Sequence, residues 1–279
     1  MVTWTMVQQQ RLKELDAPPD EFEREFNDPD MRDRSFQCLE MELVKVQQSL
    51  LKDFFQVRLS PGIVELEHRL AGALIAQRFA RVATPTIMSR SHLSRMSITD
   101  DHPLSRQIYW IDRKQCLRPM LAPHLYYLMK DLVRLCPKPI RYFEIGPCFR
   151  KETQGARHAG EFTMLNMVEV GTPAEERLNR LQEMGNLVAR AAGLEDFGFE
   201  VETSEVYGET IDLVGSREKI EVGSGAMGPH RLDAAWGITD TWVGFGFGLE
   251  RLLMVAQGHE SLGRNCRSLR YLDGIPLRI

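Results

Sequence analysis

Phe143-Glu144-Ile145-Gly146-Pro147-Cys148-Phe149-Arg150-Lys151-Glu152 and, after a polar loop, Glu161-Phe162-Thr163-Met164-Leu165-Asn166-Met167-Val168-Glu169 are the stretch that decides the fold. Both runs have strand composition, and the loop 153–160 turns the chain back, so they read as a hairpin. Side chains on a strand repeat every second residue, which puts Arg150 and Glu152 on one face. The loop adds Arg157 and His158, and the return strand opens on Phe162. An arginine holds a phosphate in its fork, a glutamate accepts from an exocyclic amine, and a phenyl ring stacks on a base. The hairpin is a candidate nucleotide cradle. On these residues alone, a surface hairpin with a solvated ion pair is an equal reading.

Strand-like runs recur at 107–111, 115–118, 197–203, 210–214, 219–225 and 242–246, and helical patterns at 123–135, 173–192 and 249–257. Strands often follow one another with no helix between them. That order favours an α+β fold, an antiparallel sheet flanked by helices, over a βαβ repeat. Upstream, Ser60-Pro61-Gly62 opens a helix that runs to about Ala80. Ser60 can cap it, Pro61 suits its first turn, and Glu65 and Glu67 suit its positive end. The run 82–88 reads as a strand with Pro85 inside it, which suits a sheet edge or an interface. Residues 1–57 are polar, acid-rich and helical in pattern, interrupted at Pro18 and Pro19, with apolar residues from Leu39 to Leu51 at helical spacing. The expected organisation is an N-terminal helical extension, 1–57, and one main domain, 58–279. No internal repeat is visible.

The 279 residues are 43% hydrophobic and 27% charged, which excludes a disordered or collagen-like chain. A chain of this length buries about three quarters of its unfolded surface and needs no disulfide or metal staple. With a net charge of -4, nucleic-acid contact must come from a local basic patch. The stretch 264–271 is one such patch, or else a solvated edge. No apolar run approaches the roughly 20 residues that span a bilayer, and the N-terminus lacks a secretion leader's pattern. Cys38, Cys116, Cys136, Cys148 and Cys266 are widely spaced and show no zinc spacing. They read as small core hydrophobes in a reducing cytoplasm.

Two further constellations carry chemistry. Val243-Gly244-Phe245-Gly246-Phe247-Gly248-Leu249-Glu250-Arg251 leads alternate glycines straight into a helix. Glycine lets a ligand approach the backbone, and a helix N-terminus favours negative charge. The spacing is not a dinucleotide fingerprint. Glu221-Val222-Gly223-Ser224 offers two oxygen side chains to a hard divalent cation, although taken alone the pair reads as ordinary surface.

In order, these elements resemble the class II aminoacyl-tRNA synthetases. Arg150 to Phe162 is similar to motif 2, Gly244 to Arg251 to motif 3, and the Pro61 helix with the Pro85 strand to motif 1, the dimer-forming element. From Arg118 onward the similarity is closer. Arg118-Pro119-Met120-Leu121-Ala122-Pro123, the segments 143–148 and 161–166, and Gly246 to Leu253 resemble the pyrrolysyl-tRNA synthetase family. The whole chain resembles its compact members, which lack a separate N-terminal tRNA-binding domain.

The resemblance implies an α+β class II fold, a cytoplasmic homodimer away from membranes, and the substrates ATP, pyrrolysine and tRNA(Pyl). It implies activation of the amino acid as an adenylate, then transfer to the 3' end of an amber-suppressor tRNA, with Mg2+ as cofactor. Arg150 and Arg251 are its catalytic residues. Glu152, His158, Phe162, Gly246 and Gly248 join them around ATP, with Phe162 and Arg251 sandwiching the adenine. Glu221 and Ser224 hold the metal. Ala122, Leu125, Tyr126, Met129, Val168, Ala226, Trp242 and Gly244 line the amino-acid pocket. Asn166 reads the substrate's side-chain amide, and Tyr207 is a lid. A phenylalanyl-like synthetase and a non-catalytic paralogue are the alternatives; Asn166 argues against the first, the intact arginine and glycine motifs against the second. Gly223, Gly225 and Phe245 depart from the family pattern, and a Phe245 ring turned into the pocket would change its preference.

Overall fold

The computed structural model describes residues 1–151, 159–204, 206–215, 219–259 and 262–279. The chain forms two units, Met1–Pro61 with Arg267–Ile279, and Gly62–Cys266. Residues 267–279, read from sequence as part of the main domain, thus pack with the N-terminal helices.

In the first unit, helix α1 (Met6–Glu14) starts on a capping box between Thr5 and Gln8. Helix α2 (Pro29–Asp53) starts where Asp28 accepts from the Met31 N–H, with Pro29 in the first turn. It begins well before the apolar spacing from Leu39 suggests, because the cap and the proline set its start. Trp4, Leu12, Leu15, Phe26 and Leu43 make a small core.

The second unit opens with α3 (Gly62–Ala76), which buries Leu66, Leu70 and Leu74 along one stripe. It stops four residues short of Ala80, and Arg78 turns the chain in the left-handed region at φ 66°. Strand β1 (Ala80–Arg81) follows, then β2 (Ile87–Ser89), α4 (Arg90–Arg95), β3 (Gln115–Leu117) and α5 (Ala122–Leu135). Next come β4 (Ile140–Phe149), β5 (Glu161–Val170), α6 (Arg177–Ala192), β6 (Phe197–Ser204), β7 (Gly208–Gly215) and β8 (Ile220–Gly228). The unit closes with α7 (Asp233–Trp236), β9 (Trp242–Gly248) and α8 (Leu249–Ala256).

Seven strands form one sheet in the order β1-β4-β5-β9-β8-β7-β6. Only β1 runs parallel to its neighbour. The hairpin read from the sequence is β4–β5, in register from Ile140↔Val170 to Phe149↔Glu161. Two sequence expectations fail locally. Of the strand expected over 82–88, only Ile87 and Met88 belong to one: they start β2, which pairs with β3 in a separate ribbon, while β1 at the sheet edge ends at Arg81, before Pro85. The strand expected over 107–111 is a 3-10 turn at Pro103–Gln107 and a single bridge from Trp110 to Cys116. The Leu117 N–H donates to the Tyr109 carbonyl and the Ile111 N–H to the Gln115 carbonyl, both at 2.9 Å, so this short stretch lies along the free edge of β3.

Alternation divides the sheet's chemistry. One face sends Phe143, Leu165, Met167, Leu213, Phe245 and Phe247 into a core shared with α3, α6 and α8. Each large apolar side chain so buried is worth about 1.5–3 kcal/mol against exposure. The Phe245 ring therefore points away from the opposite face, and it stacks on Phe247 with centroids 4.5 Å apart. This explains the unusual glycines. Gly225 pairs with Phe245 and Gly223 with Phe247. A Cβ on Gly225 would lie 2.8 Å from the Phe245 ring, and one on Gly223 would collide with Phe247. Bulk missing from β8 is supplied by β9.

A buried polar knot fixes the other end of β4. The Arg118 and Glu144 side chains are 2% and 3% exposed and pair at 2.6 Å. Arg118 also donates through Nε to the Pro147 carbonyl, 2.7 Å, and through Nη1 to the Thr84 carbonyl, 3.2 Å. Thr84 Oγ1 donates to Glu144 Oε2 at 2.7 Å and lies 3.2 Å from His124 Nδ1. A Cβ on Gly146 would collide with Arg118 Nη2. Burial above all, then the nearby His92 and Arg118, depresses the His124 pKa to about 4.

Two of the cysteines differ from expectation. Cys116 and Cys148 are buried, and burial pushes their thiols up to about 11 and about 12. Cys38 and Cys136 are exposed, on a helix face and a helix end where nothing packs over them.

Two outcomes follow for stability. Gly223→Ala should lower unfolding free energy by about 1–3 kcal/mol through overpacking, and Phe247→Leu in the same chain should recover part of it in a denaturant titration. His124 stays neutral when folded, so its contribution is complete above the ordinary histidine pKa of about 6.5 and is lost as pH falls toward about 4. That loss is of the order of 3 kcal/mol. Melting temperature should drop between pH 7 and pH 4.5, and less steeply in His124→Asn.

Candidate active site

The face of the sheet opposite the aromatic core carries a cavity of about 490 Å3. Its wall follows from strand register. Ser224 pairs with Gly246, Gly246 with Asn166, and Asn166 with Glu144, so one row crosses four strands with every side chain on this face. The neighbouring row is Ala226, Gly244, Val168 and Tyr142. The first row is polar and the second apolar. The glycines of β9 keep both rows open. A Cβ on Gly246 would sit 3.1 Å from Asn166 Nδ2, and one on Gly244 would sit 3.3 Å from the Trp242 ring.

Glu221 and Ser224 are three apart, and a regular strand would send them to opposite faces. The β7–β8 register shifts between them, from Leu213↔Gly223 to Val214↔Glu221, leaving Val222 as an extra residue. This bulge turns the Val222 side chain into the helix-side core and brings Glu221 round to the cavity.

Every described residue of the sequence-read site lines this one cavity: Arg150, Phe162, Asn166, Val168 and Tyr207, the β8 and β9 positions, Arg251, and Ala122, Leu125, Tyr126 and Met129 from α5. Glu152 and His158 lie outside the described residues. The charged groups are held as follows. Arg150 Nε donates to the Pro119 carbonyl at 3.0 Å, and its guanidinium lies 5.2 Å from the Phe162 centroid. Arg251 Nη1 donates to the Glu221 carbonyl at 3.0 Å and to its carboxylate at 3.3 Å. The guanidinium over the Phe162 ring is thus that of Arg150, while Arg251 is turned toward Glu221.

At the apolar end, Tyr126 stacks on Trp236 at 5.7 Å and meets Trp242 edge-on at 5.6 Å. Trp242 Nε1 donates to buried Asp233 at 2.9 Å. Burial raises the Tyr126 and Tyr207 phenols, so both stay protonated. The Tyr207 turn is gripped by its neighbours: His230 Nε2 meets its carbonyl, and Arg231 donates to the Val206 carbonyl at 3.1 Å. Among the described residues, the buried Asn166 Oδ1 has no hydrogen-bond partner.

The sequence reading missed several wall residues and supports, among them Met120, Met164, Thr210, Asp212 and Glu250. Met164 was available by alternation from Asn166, and Asp212 by alternation along β7. Glu250 is 2% exposed and accepts the Thr163 N–H with both oxygens, at 2.8 and 2.9 Å. It ties α8 to β5, a job no spacing announces.

Glu221 and Ser224 are hard oxygen donors on the cavity surface. That donor set fits a magnesium ion, which takes one or two carboxylates and fills its remaining positions with water and phosphate oxygens. Among the described residues there is no cluster of three or more His, Cys, Asp or Glu of the kind that holds a metal by protein alone.

The family model described as tRNA synthetases class II core domain (F) matches residues 61–271. The crystal structure of pyrrolysyl-tRNA synthetase from Desulfitobacterium hafniense is similar at 52% identity and a TM-score of 0.91, covering 99% of each chain. A second structure from that organism, PylSc, a pyrrolysyl tRNA synthetase, is similar at 50% identity and a TM-score of 0.88, covering 99% of this chain and 96% of that one. The chain therefore belongs to the class II aminoacyl-tRNA synthetases, within the pyrrolysyl-tRNA synthetase family, and is an aminoacyl-tRNA ligase.

Proposed function

We propose that the chain activates pyrrolysine with ATP and transfers it to the 3' end of tRNA(Pyl). The observation that carries this reading is Asn166. Its amide stands over Gly246 with an unpaired oxygen, between the cavity's polar row and an apolar pocket built from Ala122, Leu125, Met129, Val168 and Trp242. A long apolar side chain with one amide near its middle matches that pattern; phenylalanine has no group for Asn166 to pair with.

In activation, the substrate carboxylate attacks the α-phosphorus and pyrophosphate leaves. Arg150 supplies charge-assisted hydrogen bonds where negative charge develops. Phe162 and Arg251 take the adenine, with Arg251 leaving Glu221 to do so. Glu152 joins them at the adenine amine and His158 at the terminal phosphates. Magnesium held by Glu221 and Ser224 would neutralise the departing pyrophosphate. Tyr207 closes over the far end of the amino acid, and its half-buried, protonated phenol remains a donor there. No covalent nucleophile is required; positioning and electrostatics carry the rate.

A homodimer in the cytoplasm completes the proposal. Helix α3 leaves Val64 and Ile75 exposed, apolar surface for a second copy to cover. Arg267 and Arg270 are exposed as well and suit tRNA phosphates. Among the described residues, no helix is long and apolar enough to cross a membrane.

ATP–pyrophosphate exchange tests the substrate. Pyrrolysine should drive it well above any natural amino acid; exchange driven by phenylalanine alone would replace this reading. Arg150→Ala should cost about 3 kcal/mol, some hundredfold, in exchange rate. Asn166→Ala should raise KM for pyrrolysine about tenfold or more through loss of a buried hydrogen bond. Its melting temperature should hold or rise, since the amide is unsatisfied without substrate.

A further inference from the structure

Asp212 stands on β7 directly opposite Ser224 and has no role in the site as drawn so far. It is 9% exposed. Its Oδ1 accepts the Ser224 hydroxyl proton at 2.6 Å. The partner of this buried carboxylate is thus a neutral hydroxyl rather than a guanidinium or an ammonium.

A serine hydroxyl has one proton and two lone pairs. With the proton committed to Asp212, the lone pairs are what Ser224 presents elsewhere. Its register neighbour on the other side is Gly246, which has no side chain to cover it, and Ser224 itself lines the cavity. The lone pairs therefore face open space on the side where Glu221 has been brought round by the bulge at Val222.

We infer that Asp212 is a positioning residue that sets the polarity of Ser224, holding its lone pairs toward the nucleotide so that the hydroxyl is a ligand for a divalent cation and not a donor to phosphate. The short bond to a carboxylate also strengthens the serine oxygen as a ligand. An uncharged amide at 212 offers N–H groups as well as an oxygen, so it can reverse the hydroxyl. The inference deepens the nucleotide-binding reading above and depends on it.

The test is thermal melting of the full chain at fixed ATP while Mg2+ is titrated, with no amino acid present. Asp212→Asn should need about 10- to 100-fold more Mg2+ for half of the protection that MgATP gives the wild type. Any protection by ATP in excess chelator should be unchanged, a selectivity that a merely structural loss would not show. Ser224→Ala should shift the Mg2+ requirement similarly, and the double variant should shift it no further than Ser224→Ala alone. A wild-type chain with Mg2+-dependent protection and an Asp212→Asn curve that superimposes on it would sink the inference alone, as would two shifts that multiply. A wild type with no Mg2+-dependent protection would bring down the nucleotide reading and the inference together. Should Asp212→Asn not fold, Asp212→Ser, a smaller neutral acceptor, is expected to move in the same direction.

Discussion

The buried pair between Arg118 and Glu144 holds the rest of the site in place. Two opposite charges removed from water at this depth cost several kcal/mol each to desolvate, and only close pairing and full hydrogen bonding offset that. Here the charges pair at 2.6 Å, Pro147 takes the Nε of the guanidinium, Thr84 and Glu144 take its Nη1, and Thr84 returns its own hydroxyl to the carboxylate. The knot joins three stretches distant in sequence: the link after β1, the approach to α5, and β4. Backbone groups at Arg118 and Pro119 then set Phe149 and Arg150. The Arg118 carbonyl accepts the Phe149 N–H, and the Pro119 carbonyl accepts Arg150 Nε. Removing either charge would leave the other buried and alone, at a cost of about 3–5 kcal/mol, and would release Arg150 from its anchor.

The sheet separates stability from chemistry by strand alternation alone. Leu165 and Met167 of β5 and Val243, Phe245 and Phe247 of β9 fill an apolar core, and the even positions from Phe162 to Val168 and from Trp242 to Gly248 line the cavity. The stacked phenylalanines of β9 compensate the glycines of β8 across the same pairs, so the two strands keep one packed volume.

Much of this was readable in the letters. The β4–β5 hairpin, the antiparallel sheet and the glycine strand running into α8 follow from periodicity and from glycine and proline placement. The convergence of Arg150, Phe162 and Arg251 on one cavity follows from the order of the motifs. What was not readable depends on partners far along the chain. The run 107–111 has strand composition, but its first part closes a 3-10 turn and only a single bridge to the three-residue β3 remains. Glu144 looks like one more polar residue in a strand, and only the fold brings Arg118 to it. Glu221 and Ser224 look incompatible with one face until the extra residue between them is counted, and pairing, not composition, reveals that residue. Phe245 looks like an intruder in a glycine motif until its partner strand is known.

That single unpaired valine has a wider effect than its size suggests. It reverses the parity of β8. Beyond it even numbers look into the cavity, and before it an odd one does. A mutational survey of this strand would therefore change sign at Val222, with tolerance and intolerance trading places between alternate residues. A one-residue deletion of Val222 itself would restore regular alternation and leave Glu221 on the cavity side, removing from the strand only the side chain that the bulge sends into the core.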